Sequence, residues 1–258
     1  MLGILQNFYK YKYLLYVLVV RDIKKKYRRS VLGVIWSMLN PLLMMVITAM
    51  VFSTLFRFNI ENYVLYLLVG QVTFTFFRES TNFAMGSILE NRSLIKKVYV
   101  PKYLFPLSRV LSGCMNLVFT LPAILIMMIY TGQIPNWHII SFIVPLLLML
   151  FFCLGIGLLL SACVVYFRDA FHLYGVLLSA LSYATPIFYP EQIVPDKYHF
   201  LLDYNPLYYF VTGFREVLYS GGLPTIDTLV ACTVMSAGAL LIGLVIFKRA
   251  QNHFILYI

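Results

Sequence analysis

The acidic, histidine and cysteine side chains of this chain are too scattered to form a recognisable catalytic or metal site. There are ten carboxylates, four histidines and four cysteines in 258 residues. The carboxylates form no aspartate-rich Mg²⁺ motif, and the histidines lack the helix spacing of zinc proteases. The sequence also has no G-x-x-x-x-G-K-[ST] loop, so it does not bind ATP by the P-loop route. A transport or scaffold role is therefore favoured over a membrane-embedded enzyme.

Arg78 and Glu79 are the only adjacent ionisable pair within an apolar stretch. Charged side chains inside membrane spans usually face the bundle interior or a water-filled cavity. Neighbouring helix residues point about 100° apart, so the two need not pair with each other. Two roles stay open for Glu79: a packing contact with a Ser, Tyr or Arg of another helix, or a place on the wall of a transport pathway.

A dense basic run, with six Lys or Arg and one Asp at residues 21–29, leads directly into a mostly apolar stretch that ends at Phe56. A helix rises about 1.5 Å per residue, so this stretch is long enough to cross a bilayer. Lys and Arg close to a span stay on the cytoplasmic face. The run therefore predicts a cytoplasmic membrane boundary, preceded by a short interfacial helix at residues 8–20 in which aromatic and basic residues alternate.

The composition predicts an integral membrane protein. Hydrophobic residues make up 61% of the chain and charged residues 12%, and the mean hydropathy is +0.84. A soluble domain carries roughly twice that charged fraction. The net charge of +10 comes from residues that flank apolar stretches, so lipid headgroups explain it and nucleic acid is excluded as the partner.

Six apolar stretches predict six transmembrane helices in an all-α, single-domain protein (1–258). They cover residues 30–56, 63–89, 107–130, 139–167, 171–189 and 228–247. In this layout 16 of the 20 basic residues fall on the side that holds both termini. The positive-inside rule then places both termini in the cytoplasm and the protein in the cytoplasmic membrane.

Two connections are unusual. Residues 90–106 are amphipathic, basic and closed by two prolines, which predicts an interfacial helix and turn. Residues 190–227 form a long outer connection in which Asn205-Pro206 predicts a helix start and Gly221-Gly222 a stop. The intervening Leu207 to Ser220 is too short to span, which favours a re-entrant helix over a surface loop. A second short helix is predicted over 193–204.

Aromatic residues are abundant, with 21 Phe, 20 Tyr and 2 Trp. Most suit an interfacial belt. A lumen lined by tyrosine faces and hydroxyls also suits the passage of sugar rings. The conduit or gate candidates, besides Arg78 and Glu79, are Phe74, Phe77, Tyr183, Phe188, Tyr204, Tyr208 and Tyr209.

Five ordered motifs resemble those of the ABC-2 type polysaccharide-export permeases, which include O-antigen and teichoic-acid exporters. The resemblance covers essentially the whole chain. The first motif is R-D-I-K-x-x-Y-R-x-S-x-L-G-x-x-W-x-x-L-x-P-L at residues 21–42, and the second is E-N-x-x-L-I-K-K-V-x-x-P at residues 90–101. The others are F-R-D at 167–169, T-P-I-F-Y at 185–189, and N-P-L-x-x-F at 205–210 followed by Arg215-Glu216.

The resemblance implies a homodimeric, six-helix permease subunit with a separate ATPase chain, which would hold ATP and Mg²⁺. This chain itself would bind no cofactor or metal. A channel at the dimer interface would export an undecaprenyl-diphosphate-linked polysaccharide, such as O-antigen, teichoic acid, lipopolysaccharide or capsule. A small-molecule or drug exporter of the same superfamily is the alternative.

Residue roles also follow from the resemblance. Residues 190–220 would form the re-entrant outer gate. The ATPase-coupling residues would be Leu94, Ile95, Lys96, Lys97, Val98, Tyr99 and Pro101. The residues near the headgroup or the ATPase would be Arg21, Lys24, Lys25, Arg28 and Arg29, for which ordinary positive-inside anchoring is an equal alternative.

Overall fold

The computed structural model describes residues 2–28, 30–56, 60–133 and 136–257, and this part of the chain is helical without strands. The α-helices are α1 (Leu2–Tyr27), α2 (Ile35–Phe56), α3 (Tyr63–Glu90), α4 (Arg92–Lys97), α5 (Leu104–Tyr130), α6 (Ile143–Tyr166), α7 (Ala170–Ala184), α8 (Phe200–Asp203), α9 (Pro206–Leu218), α10 (Ile226–Ala250) and α11 (Phe254–Tyr257). Short 3₁₀ helices cover Trp137–Phe142, Glu191–Ile193, Asp196–Tyr198 and Gln251–His253.

Four helical stretches are long and apolar enough to cross a membrane: Ile35–Phe52, Leu104–Tyr130, Trp137–Tyr166 and Ile226–His253. The prediction of a helical membrane protein is confirmed. Helix α3 has 28 residues but includes charged side chains, and α7 is apolar but has only 15 residues. The count of six spans therefore stays a prediction.

Two predicted boundaries are wrong. The basic run does not continue into the first span: α1 extends to Tyr27, and residues 30–34 separate it from α2, with Gly33 at φ +50°. A positive φ is easily adopted by glycine. The helix of the fifth predicted span, α7, ends at Ala184, not at Tyr189, because a residue before proline is disfavoured in the helical region. Thr185, which precedes Pro186, is extended (φ −94°, ψ 132°).

Helix α3 lies at the centre of the bundle. Its residues Leu65, Leu67, Leu68 and Val69 are all fully buried. A helix buried on every side belongs to the interior of a bundle. Helices α2, α5, α6 and α9 pack around it. Polar side chains carried by α3 are consequently placed inside the protein.

Among the described residues, helices α6 and α10 share the most extensive helix–helix contact. Gly155 of α6 faces Ala239 and Gly243 of α10, and a Cβ added at Gly155 would lie 2.5 Å from the Leu240 backbone nitrogen. Small residues let membrane helices approach closely. Gly157, two residues further along α6, faces Ala84 of α3 instead. Two glycines of one helix therefore serve two different interfaces.

Candidate functional site

The predicted ATPase-contacting residues 94–101, here the coupling segment, lie at one end of the bundle. Only Asn91 separates α3 from α4, where the segment begins. Ile95 is buried, whereas Tyr99 is 92% exposed. The remaining predicted contact residues are half-buried or exposed: Leu94, Lys96, Lys97, Val98 and Pro101. The coupling segment thus exposes basic and aromatic side chains to the surroundings while Ile95 holds it in the protein interior.

Ile95 fixes the coupling segment to several helices at once. It belongs to a buried apolar cluster that includes Ile88 of α3, Phe105 of α5 and Phe254 of α11. Next to it, Lys102 Nζ donates a hydrogen bond of 2.5 Å to the Gln251 carbonyl, and burial lowers the pKa of Lys102. Because protein interiors are close-packed, a displacement of the coupling segment would also displace the residues packed against Ile95.

A cluster of charges joins α1 to the same end of the bundle. Arg21 bonds Asp22 at 3.0 Å and Asn91 Oδ1 at 3.0 Å. Arg109 of α5 lies between two carboxylates, with Nε 3.4 Å from Asp22 Oδ2 and Nη2 2.7 Å from Glu90 Oε2. These five residues are called the basal cluster. The side chains of Asp22 and Arg109 are only 4% and 10% exposed, so the cluster is a tight link between α1, α3 and α5.

The five predicted headgroup residues are not equivalent. Arg21 belongs to the basal cluster, and Lys25 lies 3.7 Å from Glu90. Lys24 and Arg28 are exposed. Arg29 lies outside the described residues. Within the described part of the run, Lys24 and Arg28 are therefore the side chains best placed to meet an external anion.

A cavity of about 390 Å³ opens between α2, α3 and α5. Cross-helix hydrogen bonds span its walls, from Gln71 Nε2 to Thr48 Oγ1 at 2.8 Å and from Thr120 Oγ1 to the Ser37 carbonyl at 3.1 Å. Its polar lining comprises Lys26, Ser37, Asn40, Thr48, Gln71, Thr75, Arg78, Glu79, Asn116, Thr120 and Ser182. Hydroxyl, amide and charged groups that face a cavity between apolar helices indicate that the cavity holds water.

This cavity between α2, α3 and α5 is called the membrane cavity. Four of the conduit candidates line it: Phe74, Arg78, Glu79 and Phe188. Glu79 Oε2 accepts a hydrogen bond of 2.8 Å from Lys26 Nζ, which makes an ion pair between α3 and α1. The pair joins two helices and also lies at the cavity wall, so both roles left open for Glu79 stay predictions. The partner is a lysine, not the Ser, Tyr or Arg that was expected.

The other conduit candidates lie elsewhere. Phe77 is buried in the core with its ring centroid 5.8 Å from that of Phe152. Tyr183 borders a second, mostly apolar cavity of about 490 Å³. Tyr204 is exposed. Tyr208 donates to Glu191 Oε2 at 2.6 Å and Tyr209 to the Asp203 carbonyl at 3.2 Å.

The helix predicted in the long connection is confirmed as α9. The Asn205 side chain caps it by accepting from the Leu207 amide at 3.0 Å, and Pro206 occupies its first turn. Phe210 and Phe214 are fully buried, and α9 packs against α3 and α10. The alternative of a surface loop is therefore wrong. The region predicted to contain a second helix holds two 3₁₀ turns and α8.

Sequence reasoning missed several residues of these sites. Asp22, Asn91 and Arg109 belong to the basal cluster although they are far apart in the chain. Asp22 stands out in the sequence as the single acid in the basic run, but nothing there names its partner. Among the described residues, no group of three or more His, Cys, Asp or Glu is placed to hold a metal ion.

The comparisons with known proteins agree with this architecture. A family model described as ABC-2 type transporter matches residues 13–219. The O-antigen export system permease protein RfbA of Myxococcus xanthus is 32% identical over 98% of both chains, and that of Klebsiella pneumoniae is 29% identical over 93% of both. The polysialic acid transport protein KpsM of Escherichia coli is 24% identical over 91% of this chain and 92% of its own. The chain belongs to the ABC-2 type transporter family.

Proposed function

We propose that this chain is the permease subunit of an ATP-driven exporter of undecaprenyl-diphosphate-linked polysaccharide. The observation that carries the proposal is the membrane cavity, whose hydroxyl and amide lining matches the hydrogen-bonding groups of a glycan. The names of the relatives, O-antigen and capsule or polysialic acid transport proteins, point to the same class of substrate.

The proposed topology has six spans: α2, α3, α5, α6, α7 and α10. The charged residues of α3 do not argue against its being a span, because Arg78 and Glu79 line the membrane cavity and Glu90 belongs to the basal cluster. The short α7 is continued by residues 185–189. The positive-inside rule places the coupling segment and both termini in the cytoplasm. The protein would then lie in the cytoplasmic membrane.

The conduit is proposed to form between two copies of the chain. In one copy α2 and α7 carry many exposed apolar residues, among them Ile47, Met50, Leu173 and Val176. Faces of this kind meet either lipid or a second apolar helix. Pairing along α2 and α7 would bring the two membrane cavities together into one wider passage for a polymer.

A continuous series of contacts supports ATP-driven coupling. The coupling segment adjoins Glu90 and Asn91, which bind Arg109 and Arg21 of the basal cluster. Arg21 is on α1, and one turn and a half further Lys26 reaches Glu79 at the wall of the membrane cavity. Closure of an ATPase against the segment would thus move α1 relative to α3 at the cavity.

Charge reversal tests the ATPase contact. In the Lys96→Glu, Lys97→Glu double variant we expect co-purification of the ATPase to fall at least about tenfold, because like charges brought together in an interface cost several kcal/mol. Both lysines are exposed, so the fold itself has little reason to change. The matched control is Lys248→Glu, Arg249→Glu, with the same change of charge at the end of α10. Equal co-purification of the two variants would count against docking at the coupling segment.

Removing an exposed arginine tests contact with the lipid diphosphate. For Arg28→Ala we expect normal assembly with the ATPase and a loss of export of at least about tenfold, as for a charge-assisted contact of about 1.5 kcal/mol. The readout is surface polysaccharide in a strain that depends on this permease. Arg168→Ala, an exposed arginine between α6 and α7, is the control. Normal export by Arg28→Ala would rule out a contact with the lipid diphosphate and leave membrane anchoring as the role of Arg28.

The substrate class is tested by purifying the complex of permease and ATPase and identifying its bound lipid by mass spectrometry. We expect an undecaprenyl-diphosphate glycan that also stimulates ATP hydrolysis. If no glycan is bound and small amphiphilic drugs stimulate hydrolysis instead, the chain is a small-molecule exporter of the same family.

A further inference from the structure

Arg215 of α9 is a buried arginine whose partners are backbone carbonyl groups. Its Nη1 donates to the Pro186 carbonyl at 2.8 Å and its Nη2 to the Ile187 carbonyl at 3.0 Å. The guanidinium carbon lies 3.5 Å from the centre of the Tyr66 ring. The residue is only 8% exposed, and within the described residues it forms no salt bridge.

The surroundings are built for an arginine. A planar guanidinium can bond two carbonyls at once and stack on an aromatic ring, whereas a lysine ammonium is a single point donor. Tyr66 supplies the ring, and Gly70, one turn further along α3, supplies the space. A Cβ at Gly70 would lie 2.7 Å from Arg215 Nη2. The glycine therefore permits the close approach of the arginine to α3.

Arg215 holds residues 185–189, here called the partition segment, which follow α7 without helical structure. In an apolar environment each carbonyl of such a segment needs a donor. The Thr185 carbonyl accepts from the Ile187 amide within the segment. From other elements, besides Arg215, the hydroxyl of Tyr63 donates to the Phe188 carbonyl at 2.6 Å and that of Tyr66 to the Tyr189 carbonyl at 3.0 Å. These side chains attach the segment to α3 and α9.

The partition segment lies between the two cavities. Ile187 and Phe188 line the membrane cavity, and Tyr189 lines the second cavity. The Phe188 ring stacks on Phe52 with centroids 5.3 Å apart, and Phe52 borders the second cavity. A passage from one cavity to the other would therefore require this stack and the segment behind it to move.

We infer that Arg215 is a positioning residue of the export gate, which holds the partition segment and its Phe188 ring as a barrier between the two cavities. Because Arg215 is rigidly part of α9, a shift of α9 carries the segment with it and opens the barrier. The inference rests on the proposed export function, but its central contact is testable without any substrate.

The experiment measures the exposure of the partition segment. Ile187→Cys is introduced into a background in which Cys114, Cys163 and Cys232 are replaced by Ala, while the fully buried Cys153 is kept as an internal reporter of the core. The variants Arg215→Met and Arg215→Lys are compared with Lys197→Met, which removes an exposed charge from the same long connection. Each protein is labelled with a water-soluble maleimide in nanodiscs, where both faces are accessible.

We expect Arg215→Met to raise the labelling rate of Ile187→Cys at least about tenfold, because two hydrogen bonds to a charged group are lost. Arg215→Lys should give an intermediate increase. Labelling of Cys153 should stay low in both. Lys197→Met should change labelling by less than about twofold, as exposed substitutions do. In cells Arg215→Met should reduce polysaccharide export at least about tenfold, while ATP hydrolysis by the assembled complex is kept.

Three outcomes would overturn the inference. Unchanged labelling of Ile187→Cys would remove the positioning role. If the labelling rate of Cys153 rose as much as that of Ile187→Cys, or if both Arg215 variants failed to assemble, Arg215 would be needed for folding of the whole protein and not specifically for the partition segment. If Arg215→Met increased the labelling of Ile187→Cys but left polysaccharide export normal, the partition segment would not be part of the export gate. A failure of the proposed function alone looks different: the labelling responds as expected, but the unmodified protein carries no glycan.

Discussion

Replacing Gly155 by alanine is expected to lower the free energy of unfolding by at least about 3 kcal/mol, at or above the usual cost of overpacking a core. The new methyl group would meet the backbone of Ala239 and Leu240, and backbone atoms cannot turn aside as a flexible side chain can. Helices α6 and α10 would have to separate along a long interface. The measurement is the thermal unfolding of the purified protein, followed by its loss from the monodisperse chromatographic peak.

Two further glycines make this test specific. Gly243→Ala should be equally damaging, because its Cβ would meet the Gly155 backbone across the same interface. Gly238→Ala on α10 is the matched control, because nothing lies within 4 Å of its Cβ. Alanine is the better helix former, so stability should be unchanged or rise by about 0.5 kcal/mol. Similar losses for Gly155→Ala and Gly238→Ala would mean that α6 and α10 are not packed this closely.

The sequence predicts where the helices are but not how they meet. Long apolar runs place α3 and α5, and the Asn205-Pro206 start signal places α9, within a few residues of their observed bounds. The same reasoning misplaces the end of α7 because hydropathy continues through Thr185 and Pro186 while the backbone geometry does not. It also does not tell which glycine of α6 faces α10, Gly155 or Gly157, since only the path of α10 decides this.

The site is predictable to a similar degree. The adjacent Arg78 and Glu79 indicate a polar location inside a span, and the structure puts both at the membrane cavity. The Lys26 partner of Glu79 lies 53 residues away, and no local pattern connects the two. Arg215 is visible in the sequence as a charge in an apolar helix, yet its carbonyl partners follow α7. Contacts of this kind depend on the packed fold.

Under the proposed function α1 takes part in coupling although it lies outside the core of the bundle, and the basal cluster is the attachment that would allow this. Leu15 and Leu18 are its described side chains that are well buried among apolar ones. The polar attachment through Arg21 and Asp22 is therefore a large share of what holds α1 in place. A helix attached in this way can shift as a unit when its polar contacts rearrange.

Removing Asp22 is expected to lower the free energy of unfolding by about 3 kcal/mol, within the range for a buried ion pair that loses one partner. In Asp22→Ala the buried Arg109 keeps only Glu90, whose side chain is 48% exposed, and Arg21 loses its carboxylate partner. Arg109→Ala should be similarly damaging. The measurements are thermal unfolding and ATP-dependent export, and both should fall because α1 is no longer held against α3 and α5.

A double-mutant cycle decides whether this loss comes from the pair itself. If Asp22 and Arg109 interact as the structure indicates, the double alanine variant should be more stable than the sum of the single losses predicts, by about 1–2 kcal/mol. Asp169→Ala, which removes an exposed acid between α6 and α7, is the matched control and should stay within about 0.5 kcal/mol of the unmodified protein. Strictly additive losses for Asp22 and Arg109 would show that the two do not hold α1 to α5. A small loss for Asp22→Ala, equal to that of Asp169→Ala, would place α1 outside the coupling path, because a helix held so weakly cannot transmit a displacement from the coupling segment to the membrane cavity.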